Sequence, residues 1–157
     1  MAKLQTLDVG CGHRIGDFHY FDCREDVTYV DVTVSRLNKQ FLNVQCDGQF
    51  LPFRNNSFDK VFSRLVIEYA DDPELFLREL IRVAWHEVVV VTPHRFSRMK
   101  KAAHAKHQLT MKWFHKILEN YVHNVSFEFG LFRLGTESPV LFTVPKFIVV
   151  RIKTDDG

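Results

Sequence analysis

The chain has 157 residues, 46% of them hydrophobic, 25% charged and 13% aromatic, with 21 Lys and Arg against 19 Asp and Glu. That length suits one domain, residues 1–157, with a real core, and no run nears the roughly 18 apolar residues that cross a bilayer, so a membrane-spanning helical protein is excluded. Cys11, Cys23 and Cys46 form no CxxC pair, and the first residues are too short and polar a stretch for a signal peptide; both point to free thiols in the cytoplasm and away from a disulfide framework or a metal site.

In chain order the pattern alternates strand and helix. Lys3–Val9 is an apolar-rich run that stops at glycine, as a buried parallel strand does. Val27–Val32 is β-branched and aromatic and predicts the second strand, Phe41–Cys46 the third and Phe58–Ser63 the fourth. Asp71-Asp72-Pro73 opens a helix with acids at its N-terminus and apolar Leu75, Phe76, Leu80, Ile81 and Val83 at helical spacing. Glu87–Thr92 is the clearest central strand, and Pro93 ends it. Thr110–Tyr121 predicts an amphipathic helix with Thr110 as N-cap and Trp113, Phe114, Ile117 and Leu118 on its apolar face. Two long β-rich runs follow, Val125–Leu134 and Val140–Lys153, joined by a turn at Gly135–Pro139. The expected fold is an α/β domain with a mostly parallel sheet, helices on both faces and a C-terminal antiparallel hairpin, its phenylalanines chiefly core.

Charge is unevenly spread. Residues 88–118 hold seven cations (Arg95, Arg98, Lys100, Lys101, Lys106, Lys112 and Lys116), four histidines (His94, His104, His107 and His115) and no acid. Such a segment attracts an anionic partner, or is simply a solvated face. His104 and His107 have no acid or cysteine in that segment to complete a metal site.

The chemistry is expected at the carboxyl ends of the parallel strands. The first strand ends Asp8-Val9-Gly10-Cys11-Gly12, with Gly16 beyond. Glycines there let the backbone turn sharply and approach a ligand. Dinucleotide-binding folds use a similar turn, but Asp8 beside it suits a cationic ligand better than a pyrophosphate.

Leu7–Gly12 resembles the first motif of the class I S-adenosylmethionine-dependent methyltransferases. Asp31 sits where that family places an acid on the ribose hydroxyls. Asp47-Gly48, followed by Leu51-Pro52-Phe53, is similar to the adenine-contacting acid and its trailing segment. Asn56–Ser63, Ile67–Pro73 and Leu80–Val83 resemble, in order, the opening of strand four, the turn after it and the end of the next helix. The resemblance runs over residues 4–93 and implies a Rossmann-like seven-stranded sheet, S-adenosylmethionine as cofactor, and a cofactor site of Asp8, Gly10, Cys11, Gly12, Asp31, Val32, Asp47, Gly48 and Ser63.

The chain departs from that pattern in places. Only His13–Asp26 separates the glycine loop from the second strand, Tyr69 stands where the family usually has histidine, and Ala84-Trp85-His86 replaces a glycine pair. No N-terminal cap domain is expected before strand one, which would leave the site open toward a macromolecular substrate or a completing partner. Methyl transfer asks chiefly for positioning and exclusion of water, with a base only where the acceptor must lose a proton. Ser63, Arg64, Glu68, Tyr69 and His94 fall near the expected pocket, and Glu68, Tyr69 and His94 are the candidates for catalysis. Each also has an ordinary reading as a packing or strand-end residue.

Three functions remain open on these residues. The leading one is an S-adenosylmethionine-dependent methyltransferase whose substrate is anionic or macromolecular, a nucleic acid or protein met through segment 94–116. The second is a cofactor-binding subunit without chemistry that works with a partner protein. The third, a nicotinamide-dependent oxidoreductase, fits Gly10, Gly12, Gly16 and Asp31 but neither Asp8 nor the downstream motifs.

Overall fold

The computed structural model describes residues 4–12, 25–33, 43–94, 105–119, 124–130 and 147–154. Its seven strands, β1 (Leu4–Val9), β2 (Glu25–Asp31), β3 (Asn43–Gln45), β4 (Phe58–Arg64), β5 (Ala84–Pro93), β6 (Asn124–Gly130) and β7 (Phe147–Lys153), form one sheet in the order β3-β2-β1-β4-β5-β7-β6. β1 to β5 run parallel. β7 lies antiparallel between β5 and β6, as the two β-rich runs at the C-terminus predict.

The order fixes where a ligand can sit. The chain leaves β1 toward β2 and β3, then returns to β1's other side with β4 and β5. The strand order therefore reverses at β1, and a crevice opens at the carboxyl ends of β1 and its neighbours.

Helix α1 (Pro73–Val83) forms where its sequence commands it. The Asp72 side chain caps it by accepting from the amides of Glu74 and Leu75, both at 3.0 Å, and Pro73 at the first position needs no donor partner. Its buried face, Phe76, Leu77, Leu80 and Val83, packs on the sheet. Helix α2 (Met111–Leu118) is capped by Thr110, whose hydroxyl accepts from the Trp113 amide at 3.2 Å, and buries Phe114 and Leu118.

Both helices join the same core. It is built on Leu7, Val9, Val30, Val61, Val88, Val90, Ile148, Val150 and Ile152, the alternate residues of one sheet face. On the other face Phe62, Val89 and Val91 form a smaller cluster with Leu65 and Val149. Most of the stretch between the glycine loop and β2, residues 13–24, and the stretch 34–42 between β2 and β3 lie outside the described residues. So do the turn at 135–139, residues 41–42 and the stretch around Tyr121. Phenylalanine is not uniformly core: Phe58, Phe62, Phe76 and Phe114 are buried, whereas Phe50 is exposed.

β5 begins three residues earlier than the sequence predicts. Val83 ends α1, and Ala84 is already extended (φ −82°, ψ 137°), so helix runs into strand with no connecting loop. The register against β4 slips between Phe58–Ala84 and Lys60–Glu87, and the extra length is taken up at Trp85-His86, where a glycine pair was missing.

Candidate functional site

The glycine turn is shaped by contacts that only glycine permits. Gly10 has φ +78°, and a Cβ there would fall 2.2 Å from Val66 Cγ2. Its amide and that of Cys11 donate to the Val30 carbonyl at 2.7 and 3.1 Å, which folds the loop across the end of β2. Gly12 also has positive φ, +61°, but open space lies beside its Cα.

Asp31, 4% exposed at the end of β2, organises what surrounds it. One carboxylate oxygen accepts from the Gly12 amide at 3.0 Å and the other from the Thr33 amide at 2.9 Å. Its carbonyl accepts from the Cys46 amide at 3.3 Å. The loops after β1, β2 and β3 thus converge on one residue. Val32, next to it, is 63% exposed and presents an apolar side chain at this edge.

Asp8 lies one residue before the end of β1, opposite Tyr29 of β2 and Phe62 of β4. Burial pushes its carboxyl up to about 7, against the pull of the nearby Arg64 guanidinium and with a further push from Asp31. The same burial, together with the Asp8 charge, raises Tyr29. Ser63, 1% exposed, turns its hydroxyl to the Val9 carbonyl at 3.0 Å, tying β4 to the end of β1.

Beyond β3, Asp47 is exposed and Gly48 buried. A Cβ on Gly48 would meet Phe76 Cε2 at 2.3 Å and Val9 Cγ1 at 3.0 Å, so this residue lets the loop lie against the core. The Asp47 carboxylate is gripped by Gln49, through its backbone amide (2.9 Å) and its side-chain amide (3.2 and 3.1 Å to the two oxygens). The following segment is held by α1: the Leu51 amide donates to Glu79, and Arg82 donates to the carbonyls of Leu51 and Phe53, to Asn55 and, with two nitrogens, to Glu79.

The turn after β4 is strained at its start. Leu65 has φ +56°, a conformation that costs a branched side chain about 1 kcal/mol or more, and its amide is fixed to the Val91 carbonyl at 2.8 Å. One turn of 3₁₀ helix, Ile67–Tyr69, follows. Glu68 is 3% exposed, its carboxylate 3.5 Å from the Thr92 hydroxyl, and burial raises it to about 7. Tyr69 and His94 are half-buried near the ends of the same two strands, β4 and β5. Tyr69 is raised by burial and by the Glu68 charge.

Part of the basic segment is strapped onto this turn. The Lys106 and His107 amides both donate to the Glu68 carbonyl, at 2.9 and 3.0 Å. His107 Nε2 donates to the Ala70 carbonyl at 3.1 Å, Lys106 pairs with Asp71, and Leu109 is buried. The Lys106 ammonium holds the Asp71 carboxyl below its ordinary value. Residues 95–104, with most of the segment's cations, lie outside the described residues. Lys112 and Lys116 are exposed on α2.

All nine residues of the expected cofactor site therefore gather at the ends of four neighbouring strands, β3, β2, β1 and β4. The profile of a protein family described as a methyltransferase domain matches residues 7–92, more than half the chain and the whole of this region. The chain belongs to this methyltransferase domain family. Solved structures carry the same fold. A chain of the complex that contains the Haloferax volcanii Trm112 methyltransferase activator superposes with a TM-score of 0.75 at 13% identity, covering 96% of this chain and 82% of that one. A SAM-dependent methyltransferase from Thermotoga maritima gives 0.70 at 17% identity, over 99% of this chain and 84% of its own. One from Methanosarcina mazei gives 0.66 at 14%, over 98% and 93%. At these identities the likeness is one of fold. No curated protein sequence matches the chain.

Within the methyltransferase domain, sequence reasoning passed over Gln49 and Val66, and took in Arg82 only within Leu80–Val83, without its pairing to Glu79. An aspartate readily accepts from the backbone amide two residues on, so Asp47 could have flagged the turn that holds Gln49. Nothing local announces its long-range partners.

Proposed function

We propose that the chain is a SAM-dependent methyltransferase that binds its cofactor in the crevice at the ends of β1 to β4. The observation that carries this reading is the placement of Asp8, Asp31 and Asp47 at or just past the ends of the adjacent strands β1, β2 and β3, with Asp31 bonded to a loop whose Gly12 has open space beside it. The residues present fit the group. Among the described residues each Asp31 oxygen accepts one hydrogen bond, so a second acceptor site on each suits two ribose hydroxyls. Asp8 offers a carboxylate to a cation, Val32 an apolar surface to a base, and Asp47 an exposed acceptor. Gly10, Cys11, Gly12 and Gly48 bring the backbone close, while Ser63 braces the floor.

Bound there, S-adenosylmethionine supplies a methyl that passes to an acceptor's lone pair, while its sulfur keeps the electrons of the broken bond. The chain's own part is to position and to exclude water. Tyr69 and His94, half-buried where an acceptor would approach, orient it. Glu68, ionising near neutrality, takes a proton through a neighbour where the acceptor must lose one. Segment 94–116 favours an anionic or macromolecular acceptor. Cys11 and Cys46, which are in no disulfide, fit a reducing compartment such as the cytoplasm, and no described helix is long and apolar enough to cross a membrane.

The second reading is a cofactor-binding subunit that acts only with a partner protein. It is favoured by the similarity to a structure solved with a methyltransferase activator. Calorimetric titration with S-adenosylmethionine, beside Asp31→Ala and an NADH control, tests both. Micromolar binding that weakens about tenfold or more in the variant supports the site. A folded wild-type chain that binds nothing overturns it as a self-sufficient enzyme.

A further inference from the structure

Gln49 is a buried polar side chain, 6% exposed, in a loop that holds Gly48 buried beside it and exposes Asp47 and Phe50 to water. Both polar ends of that side chain are engaged. Nε2 donates to both oxygens of Asp47, at 3.2 and 3.1 Å, and Oε1 accepts from the Asp72 amide at 2.6 Å. The orientation of the amide is unambiguous, because one end meets a carboxylate and the other an N–H. Asp72 is in turn the N-cap of α1, so Gln49 fastens the Asp47 carboxylate to the fixed end of a helix packed in the core.

The consequence lies in how many acceptor sites Asp47 has left. A carboxylate offers about four. The backbone and side-chain amides of Gln49 occupy two on Oδ1 and one on Oδ2. Among the described residues no other donor reaches this carboxylate, which leaves a single site, on Oδ2 of a side chain otherwise exposed to solvent. We infer that Gln49 is a positioning residue for cofactor recognition: it fixes Asp47 so that one defined oxygen faces the ligand and accepts one hydrogen bond, from the exocyclic amino group of the base. The inference rests on the reading of Asp47 as the base-contacting acid. An amino group donates to that oxygen, whereas a keto oxygen in the same position would meet it acceptor to acceptor. A fixed Asp47 therefore discriminates between them, and an Asp47 free to rotate into water does not.

The test measures base selectivity as well as affinity. S-Adenosylhomocysteine and S-inosylhomocysteine, which differ by amino against keto, are titrated into wild type, Gln49→Met and Asp47→Ala. Wild type is expected to prefer the adenosyl compound by about tenfold or more, the scale of one hydrogen bond to a charged group. Gln49→Met keeps the length of the side chain and removes both polar ends; its preference is expected to fall to about threefold or less, with inosyl affinity changed less than about twofold. A general loosening of the loop would weaken both ligands alike and leave the ratio intact, and that result overturns the inference. Gln49→Glu covers the case in which the methionine variant does not fold. Its carboxylate still accepts from the Asp72 amide but repels Asp47, so a folded Gln49→Glu protein that retains wild-type selectivity also overturns it. The two readings fail separately. Selectivity lost in Asp47→Ala but kept in Gln49→Met removes Gln49 alone, whereas selectivity kept in Asp47→Ala removes the assignment of Asp47 and the inference with it.

Discussion

Replacing Arg82 by alanine should destabilise the domain by about 3 kcal/mol, a figure that follows from what the guanidinium leaves behind. It donates to the carbonyls of Leu51 and Phe53, to Asn55 and twice to Glu79. The two carbonyls are part-buried, and each stranded acceptor costs about 1 kcal/mol where water can still reach it in part. Glu79 keeps the Leu51 amide but loses a two-point partner at 2.6 and 2.8 Å, for about 1 kcal/mol more. Asn55 is exposed, and water replaces the arginine there. For a domain of this size about 3 kcal/mol lowers Tm by roughly 6–12 °C. Arg82→Lys keeps the charge without the planar fork and should fall between the two. Thermal melts followed by circular dichroism at pH 7 provide the comparison. A Tm for Arg82→Ala within about 2 °C of wild type would refute the idea that this arginine holds residues 51–55 on α1.

Three other expectations follow from particular contacts. Gly10→Ala and Gly48→Ala each drive a Cβ to 2.2–2.3 Å from a packed side chain and should cost about 2–4 kcal/mol, whereas Gly12→Ala, with only its φ of +61° to strain it, should cost about 1 kcal/mol; melts that reverse this order contradict the packing. Asp8 is protonated below about 7 in the free protein, and a cationic ligand favours its ionised form, so S-adenosylmethionine affinity should rise with pH through 7 and level off above it. Titrations between pH 5.5 and 8.5 check this, and a pH-independent affinity, or an Asp8→Asn variant with the same slope, removes Asp8 from the linkage. Glu68 likewise keeps its proton in the folded state between its unfolded pKa and about 7, so its contribution to stability is lost as pH rises through that window. Gln at position 68 carries no charge to bury, so Glu68→Gln should melt with wild type at pH 5 and above it at pH 8; equal melting at both would show that the carboxyl is not strained by burial.

The strands of this fold were legible because a parallel sheet writes itself as short apolar runs, and Val88–Val91 or Leu7–Val9 read the same way in isolation as in place. The caps were legible too: Asp72 and Thr110 act on amides two or three residues away, well inside the reach of a local pattern. At the candidate site the strand-end aspartates stood out by their positions. What fixes the loop around Asp47 did not, since Gln49 and Arg82 also reach partners 23 to 31 residues distant that are chosen by how α1 docks. The anchoring of Lys106 and His107 on Glu68 was hidden for the same reason: a run of cations reads as solvated until the turn beneath it is placed. Leu65 offered no sign of its positive φ, which tertiary contacts impose against the preference of the side chain.

The seamless passage from α1 into β5 bears on how this domain can vary in length. One residue inserted between Val83 and Ala84 must either turn the helix by about 100°, carrying Leu80 and Val83 off the core, or reverse which side of the strand each valine faces. Neither is absorbed at that junction, and the irregularity at Trp85-His86 already takes up one extra residue. Insertions and deletions among descendants of this chain should accordingly collect in other connections, and the spacing from Asp72 to Thr92 should serve as a ruler that lineages carrying the domain keep while their loops lengthen and shorten around it.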